Sequence, residues 1–330
     1  LTEAGSIAGF GPCPIRQVIS ILEEDMVHPV TEWVRIVGDT AIIAQETGEV
    51  SFRPLDGRDA EVTPFAGRMT GAGTLISTTG LLDGAISLAF EQTDSRFGQI
   101  ESGPAAQGPN LLRYIYALAG AYHTAKDTPR NLLRAAEHFK SIGRPEVTAY
   151  LVMRAKEETG HERLALKDLR ALGLPAERIV ANLVPAGIQP LCDLFDRFCF
   201  KDYPIESVGF SYCSERIAAL KPKSEIDAVQ ALVPARVDAT RFLRSHSSLG
   251  SEVSHVEETI EFVASLPAED RISVVQATYQ TGLLMAEGRW RESSKSEAEI
   301  REEIEQAAGV ALHRFEWPQH IRKALAAAAH

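Results

Sequence analysis

Cysteine is scarce in this chain. Four occur in 330 residues, Cys13, Cys192, Cys199 and Cys213, and no two form the CxxC pair of a thiolate zinc site or a dithiol redox motif. A disulfide framework is not expected either, because a chain of this length can build its own apolar core. Positive charge is also short. Thirty-four lysines and arginines face 45 aspartates and glutamates, for a formal net charge of −11. No basic stripe offsets this, which argues against a nucleic-acid partner. No apolar run approaches the roughly 20 residues that a membrane span needs. Internal repeats and low-complexity tracts are missing. The chain begins at Leu1 without the basic, apolar and cleavage regions of a signal peptide. With 45% hydrophobic residues, the expectation is a soluble cytoplasmic protein with reduced thiols, of one large or two ordinary domains.

What is present divides near residue 110. Residues 1–109 read as an N-terminal β-containing extension, rich in glycine and proline and weak in helical periodicity. One short helix is expected over "PIRQVISILEEDMV". "EWVRIVGDTAIIAQETGEVSFRPL" holds two β-rich runs separated by "QETGE", a hairpin signal. "GRMTGAGTLISTTGLLDGAISLAF" reads as further short strands and turns, and residues 95–110 as a linker. Residues 110–330 read as a helical domain of about seven helices, a compact all-α bundle. One helix is expected to run through "EVTAYLVMRAKEETGHERLALKDLRAL" until Gly173 and Pro175 stop it. The charged segment "RESSKSEAEIREEIEQAAG" reads as a surface helix.

Three of these helices hold polar residues where apolar ones are expected. Glu157, Glu158 and His161 fall on neighbouring parts of one helical surface; a solvated face is the plain alternative. Glu215 shares a stripe with Val208, Ser211, Tyr212 and Ala218, where an unpartnered carboxylate costs several kcal/mol. It needs either a metal or an arginine such as Arg216 or Arg154. In "FLRSHSSLGSEVSHVEE", His255 and Glu252 share a face. His246 points away on a regular helix and converges only if the helix is irregular near Gly250. Together these residues form a mixed imidazole and carboxylate set from three helices. Such a set suits iron or manganese better than thiolate zinc, and leaves positions open for O2 and substrate. Asp168 and Glu257 are candidates to hold the free nitrogens of the histidine rings.

At these residues the chain resembles the heme-oxygenase-like diiron oxidase and oxygenase superfamily, whose fold is shared with the thiaminase-like TenA proteins and the cofactor-free PQQ-synthase oxidase. "EETGHERLALKDLRALG" is similar to that family's first ligand helix. "VGFSYCSE" is similar to its Gly-x-x-Tyr-x-x-Glu element, and "FLRSHSSLGSEVSHVEE" to its His-x-x-x-Asp-x-x-His element. Two positions depart from the pattern. Arg154 stands where many members have the early glutamate, seven before the histidine, so Glu158 serves instead, with Glu157 as the fallback. The third element is two residues too long, and Glu252 takes the aspartate role.

The resemblance implies a mainly α protein, a heme-oxygenase-like seven-helix bundle carrying an N-terminal β-containing extension. It implies an iron- and O2-dependent oxidase or oxygenase that acts in a biosynthetic pathway on a small amine, an amino-acid-like molecule or a carrier- or peptide-linked substrate. Its metal ligands would be Glu158, His161, Glu215, His246, Glu252 and His255. They would hold Fe(II), two ions in the full pattern, or Mn; depletion at Glu252 would leave one or none. Tyr212 and Tyr279 would line the pocket or belong to the core. The alternatives are a metal-independent enzyme of the same fold, either a thiaminase-like hydrolase with Cys213 or Cys199 as nucleophile or a cofactor-free oxidase, and a non-catalytic binding protein. No membrane partner is expected, and a homodimer is open. The N-terminal segment reads as a structural extension, or else as a module for a carrier or peptide substrate or for pairing protomers.

Overall fold

The computed structural model describes residues 32–37, 40–45, 50–54, 75–98, 110–233 and 236–312. The short helix expected over residues 14–27, Cys13 and most of the expected linker lie outside them.

The first β-rich run contains two strands, β1 (Glu32–Val37) and β2 (Thr40–Gln45), and the second is β3 (Val50–Pro54). They form an antiparallel meander in the order β1-β2-β3. Trp33 lies opposite Ala44, and Ile42 opposite Phe52. Alternation fails in β2, where Ala41, Ile42, Ile43 and Ala44 are all buried; a strand covered on both faces reads as a continuous apolar run.

Residues 75–90, expected to be short strands and turns, and residues 95–97, expected to open the linker, instead belong to one helix, α1 (Leu75–Phe97). Leu81, Leu82, Ala85, Leu88 and Ala89 recur at helical spacing and are buried. Two glycines and several Thr and Ser residues mask that period in the sequence, and tertiary burial overrides their poor helix propensity.

The helices that follow are α2 (Leu111–Lys126), α3 (Thr128–Ser141), α4 (Pro145–Glu158), α5 (Glu162–Ala171), α6 (Ala176–Asn182), α7 (Ile188–Cys199), α8 (Glu206–Ala219), α9 (Lys223–Ala231), α10 (Arg241–Ser245), α11 (Glu252–Ser265), α12 (Ala268–Ser294) and α13 (Glu297–Ala308). The central member is α12, packed against α1 on one side and α8 on the other. Small residues let the backbones approach. A Cβ added at Gly209 of α8 would stand 2.2 Å from the Val274 carbonyl oxygen of α12. The Thr278 hydroxyl donates to the Gly209 carbonyl across the same crossing, at 3.3 Å.

Two large apolar clusters result, with a small third made by Ile226, Val229 and Leu243. One gathers the sheet with α1, α3, α4, α7, α8, α11 and α12. The other gathers α2, α5, α6 and α13. The expected surface helix α13 opens on a capping box, Ser296 with Glu299. It nonetheless buries Ile300, Ile304, Ala307 and Ala308 in the second cluster.

The single helix expected across residues 146–172 is broken. α4 ends at Glu158 and α5 begins at Glu162, with Gly160 between them at φ +93°. That left-handed conformation is open to glycine at little cost. The break falls where the chain passes from the first apolar cluster to the second.

Candidate metal centre

Five of the six candidate ligands stand at or just inside the ends of helices that meet at this seam. Glu158 is the last residue of α4, and His161 caps the start of α5. His246 caps the end of α10, Glu252 opens α11, and His255 lies one turn further along it. Glu215 comes from the middle of α8. The irregularity expected near Gly250 is a complete break over residues 246–251, with a reason in packing. A Cβ at Gly250 would fall 2.0 Å from the Ser245 carbonyl oxygen, so only glycine lets the chain fold back this tightly. The fold-back removes the opposed directions that His246 and His255 would have on one regular helix.

The side chains converge. His161 Nδ1 lies 3.0 Å from Glu158 Oε2 and 3.1 Å from His246 Nε2. His246 Nδ1–H donates to the Phe242 carbonyl at 3.2 Å, and the ring stacks on Phe242 at 4.2 Å. That bond fixes the tautomer and turns the Nε2 lone pair toward His161. Glu252 Oε1 lies 3.8 Å from His246 Nε2. Glu158, His161 and His246 offer ligand atoms within 4.8 Å of one another, and so do Glu158, Glu215 and His255. Glu158 belongs to both groups. The fallback Glu157 instead pairs with Arg154 and lies 3.8 Å from His255 Nε2.

Electrostatics mark the same place. Glu252 is fully buried, and neither of its oxygens has a hydrogen-bond partner among the described residues. Burial, reinforced by the charges of Glu215 and Glu158, pushes its carboxyl up to about 8. Burial likewise raises Glu215 to about 7, against the pull of Arg154. Burial lowers His246 to about 4. Burial works against ionisation of Glu158 too, but the hydrogen bond and charge of His161 outweigh it and hold the carboxyl below its usual range. This electrostatic pattern suits a cation. Divalent metal bonds of about 2.1 Å set at right angles place donor atoms about 3.0 Å apart. The His161–Glu158 and His161–His246 spacings match that, and the orphaned oxygens of Glu252 lie beside His246. The residues present therefore fit a divalent metal.

Glu215 takes the arginine partnership, with Arg154. Its Oε1 accepts a hydrogen bond from Arg154, while Oε2 is buried without a partner. Arg154, 1% exposed, also donates from NH1 to Glu157 at 2.8 Å and stands 4.0 Å from Glu258. Arg216, the other candidate, pairs with Asp83 instead.

Several supporting roles differ from expectation. Glu257 is exposed. Asp168 touches no histidine; its carboxylate accepts from the Phe242 amide at 2.9 Å and from Arg241. It thereby fastens the start of α10, whose Phe242 carbonyl in turn holds His246. Tyr212 and Tyr279 belong to the core, bonded to Asp83 and Gln92. Cys199 and Cys213 are packed among apolar residues, and burial pushes both thiols up out of the reactive range. Tyr150 escaped the sequence reading because it looks like an ordinary core aromatic. Its hydroxyl shares a 2.7 Å bond with Thr259, tying α4 to α11 beside the cluster.

A mainly helical bundle whose candidate centre is built from imidazole and carboxylate defines a class of redox-metal proteins, and comparison with known proteins agrees. The chain belongs to the family of iron-containing redox enzymes, whose model matches residues 116–285, more than half its length. A solved domain of unknown function from Shewanella denitrificans OS217, with a heme oxygenase-like fold, is 18% identical with a TM-score of 0.54. The match covers 66% of this chain and 95% of that one. A TenA homolog from Pseudomonas syringae pv. tomato str. DC3000 is 12% identical with a TM-score of 0.47, covering 68% of this chain and 96% of that one. No curated protein matches the chain. The fold is thus heme-oxygenase-like, and no described helix is long and apolar enough to cross a membrane.

Proposed function

We propose that the chain is an iron- and O2-dependent oxidase or oxygenase acting on a small amine, an amino-acid-like molecule or a carrier- or peptide-linked substrate. Glu158, His161, His246, Glu252, Glu215 and His255 are its candidate ligands for up to two Fe(II). The observation that carries this reading is Glu252, a fully buried carboxylate with both oxygens unpartnered, 3.8 Å from the imidazole nitrogen that His246 turns toward His161. Such a group costs several kcal/mol unless a cation meets it.

When bound, iron supplies the one-electron chemistry that O2 needs. The chain's own residues do the rest. Phe242 and Asp168 hold His246 in the metal-accepting tautomer. Glu158 accepts a hydrogen bond from His161 Nδ1–H and faces the same point as its neighbours. Glu252, whose carboxyl is raised by burial, is the residue that would release a proton on meeting a cation, and the Tyr150–Thr259 hydrogen bond ties α4 to α11 beside the ligands. The substrate class follows the family resemblance.

The test is anaerobic reconstitution with Fe(II), counting tightly held iron, followed by O2 uptake in the wild type and in His246→Ala. The wild type retains iron and consumes O2, and the variant loses both. Retention below about a tenth of an equivalent after reconstitution at pH 7.5 or above, where the ligands deprotonate, overturns the reading.

A further inference from the structure

The two ligand groups that share Glu158 are not equivalent. The first, with His161, His246 and the neighbouring Glu252, has no arginine or lysine hydrogen-bonded to its ligands among the described residues; Lys221 acts on Glu252 only through space. The second, with Glu215 and His255, does: Arg154 is buried at 1% exposure and donates to Glu215. We infer that the centre takes a single tight divalent metal at Glu158, His161, His246 and Glu252, and that the Arg154 guanidinium serves as the fixed second cation on Glu215. This rests on the reading of the cluster as a metal centre and deepens it.

Charge balance supports the assignment. Three carboxylates, Glu158, Glu215 and Glu252, are largely or wholly buried here. One divalent ion and one guanidinium neutralise them. A second divalent ion would leave two uncompensated positive charges in a region of low dielectric, which proteins avoid. Glu157 and Glu258 also reach the guanidinium, but their side chains are 32% and 49% exposed, so water screens them. Lys221 also acts on Glu252 through space, but burial lowers its amine from the ordinary range and it makes no ion pair with the ligands. Geometry agrees as well. The bond from Arg154 occupies Glu215 Oε1, so a metal in that half meets a carboxylate already half committed and a positive charge beside it. Arg154 is held from two sides, by Glu157 and by Glu215, and its Cα lies in the regular part of α4. It is built into the wall.

The experiment counts metals without reference to turnover. Metal-free protein is titrated with Mn(II), read by equilibrium dialysis and by electron paramagnetic resonance, with circular dichroism to confirm folding. The wild type is expected to take one tight Mn(II) with the spectrum of an isolated ion, and any second ion binds at least ~100-fold more weakly because of the neighbouring positive charge. Arg154→Glu exchanges the guanidinium for a carboxylate, so it should take two ions of similar affinity with the signal of a coupled pair. Arg154→Met, which removes the charge and adds no ligand, should strengthen the second site at least ~10-fold; it decides the matter if the glutamate variant does not fold. Two equally tight ions in the wild type, or no change at the second site in Arg154→Met, overturns the inference while leaving a metal centre in place. Failure of the wild type to hold any metal instead overturns the functional reading on which this one rests.

Discussion

Replacing Glu252 by Met tests whether this carboxylate is kept for a cation at the expense of stability. Its carboxyl is raised from an ordinary value of 4.5 to about 8. Between those values the folded protein holds a proton that the unfolded chain has released. The group's contribution to stability is therefore full below pH 4.5 and is lost as pH rises toward 8. At pH 7.5 a shift of this size corresponds to a loss on the order of 3 to 4 kcal/mol relative to low pH. Methionine fills a similar volume without a polar atom and is free of that loss. After allowance for repacking, metal-free Glu252→Met should be more stable than the wild type at pH 7.5 by about 2 kcal/mol, or about 4 °C in Tm. His246 works in the other direction. Its value is depressed from 6.5 to about 4, so its contribution is lost as pH falls through that range, and above pH 6.5 it is silent. Glu215, raised to about 7, shares the upper window. The wild-type slope between pH 6.5 and 8 should therefore shrink in the variant without vanishing. Thermal melts of chelated protein across pH 6.5 to 8, then with added Fe(II) or Mn(II), are the assay. Metal should stabilise the wild type and leave the variant almost unmoved. A metal-free variant that is less stable than the wild type, with the same pH slope, would refute the claim that Glu252 is an orphaned buried acid.

Gly250→Ala should weaken metal binding by at least about tenfold while the helical content is kept, because the added Cβ meets the Ser245 carbonyl at 2.0 Å and pushes His246 and Glu252 apart; equilibrium dialysis reads it, and unchanged affinity counts against the fold-back argument. Gly209→Ala should destabilise the chain by about 2 kcal/mol through overpacking of the α8–α12 crossing, measured by urea unfolding. A change under about 0.5 kcal/mol would show that the crossing relaxes freely. The double variant Cys199→Ala with Cys213→Ala should retain O2 uptake, since both thiols are buried and raised out of the reactive range; loss of activity with the fold intact would revive the nucleophile reading.

Helices after residue 110 were legible because apolar residues recur at 3.6-residue spacing over long stretches, and the hairpin was legible in "QETGE". α1 was not. Its buried face is made of Leu and Ala interleaved with glycine and Thr, and what makes it a helix is α12 lying against it, a partner nearly 200 residues away in the chain. The break at Gly160 was equally hidden. The residues on either side keep helical periodicity, so the pattern runs through a point where the backbone turns left-handed.

The candidate site shows the same division more sharply. Residue types were readable, because a buried carboxylate or histidine is anomalous in an apolar stripe whatever the local geometry. Their meeting was not, because it depends on two helix breaks that face each other. A continuous helix offers side chains about 100° apart around its axis, and only i, i+3 and i+4 positions share a face. Glu158 with His161 satisfies that rule, yet the distance between them is set across a helix junction. His246 with Glu252 violates it, being six residues apart, and they approach only because Gly250 folds the chain back. Helix ends also change the electrostatics. Glu252 opens α11, where the backbone dipole favours negative charge, and still its carboxyl is pushed upward. Burial therefore outweighs the dipole at this position, and a charge brought in from outside the chain is what can reverse the balance. Arg154 shows how far the chain supplies such a charge itself. It reaches Glu215 and not Glu252, so the cation requirement is met in one half of the cluster and left open in the other.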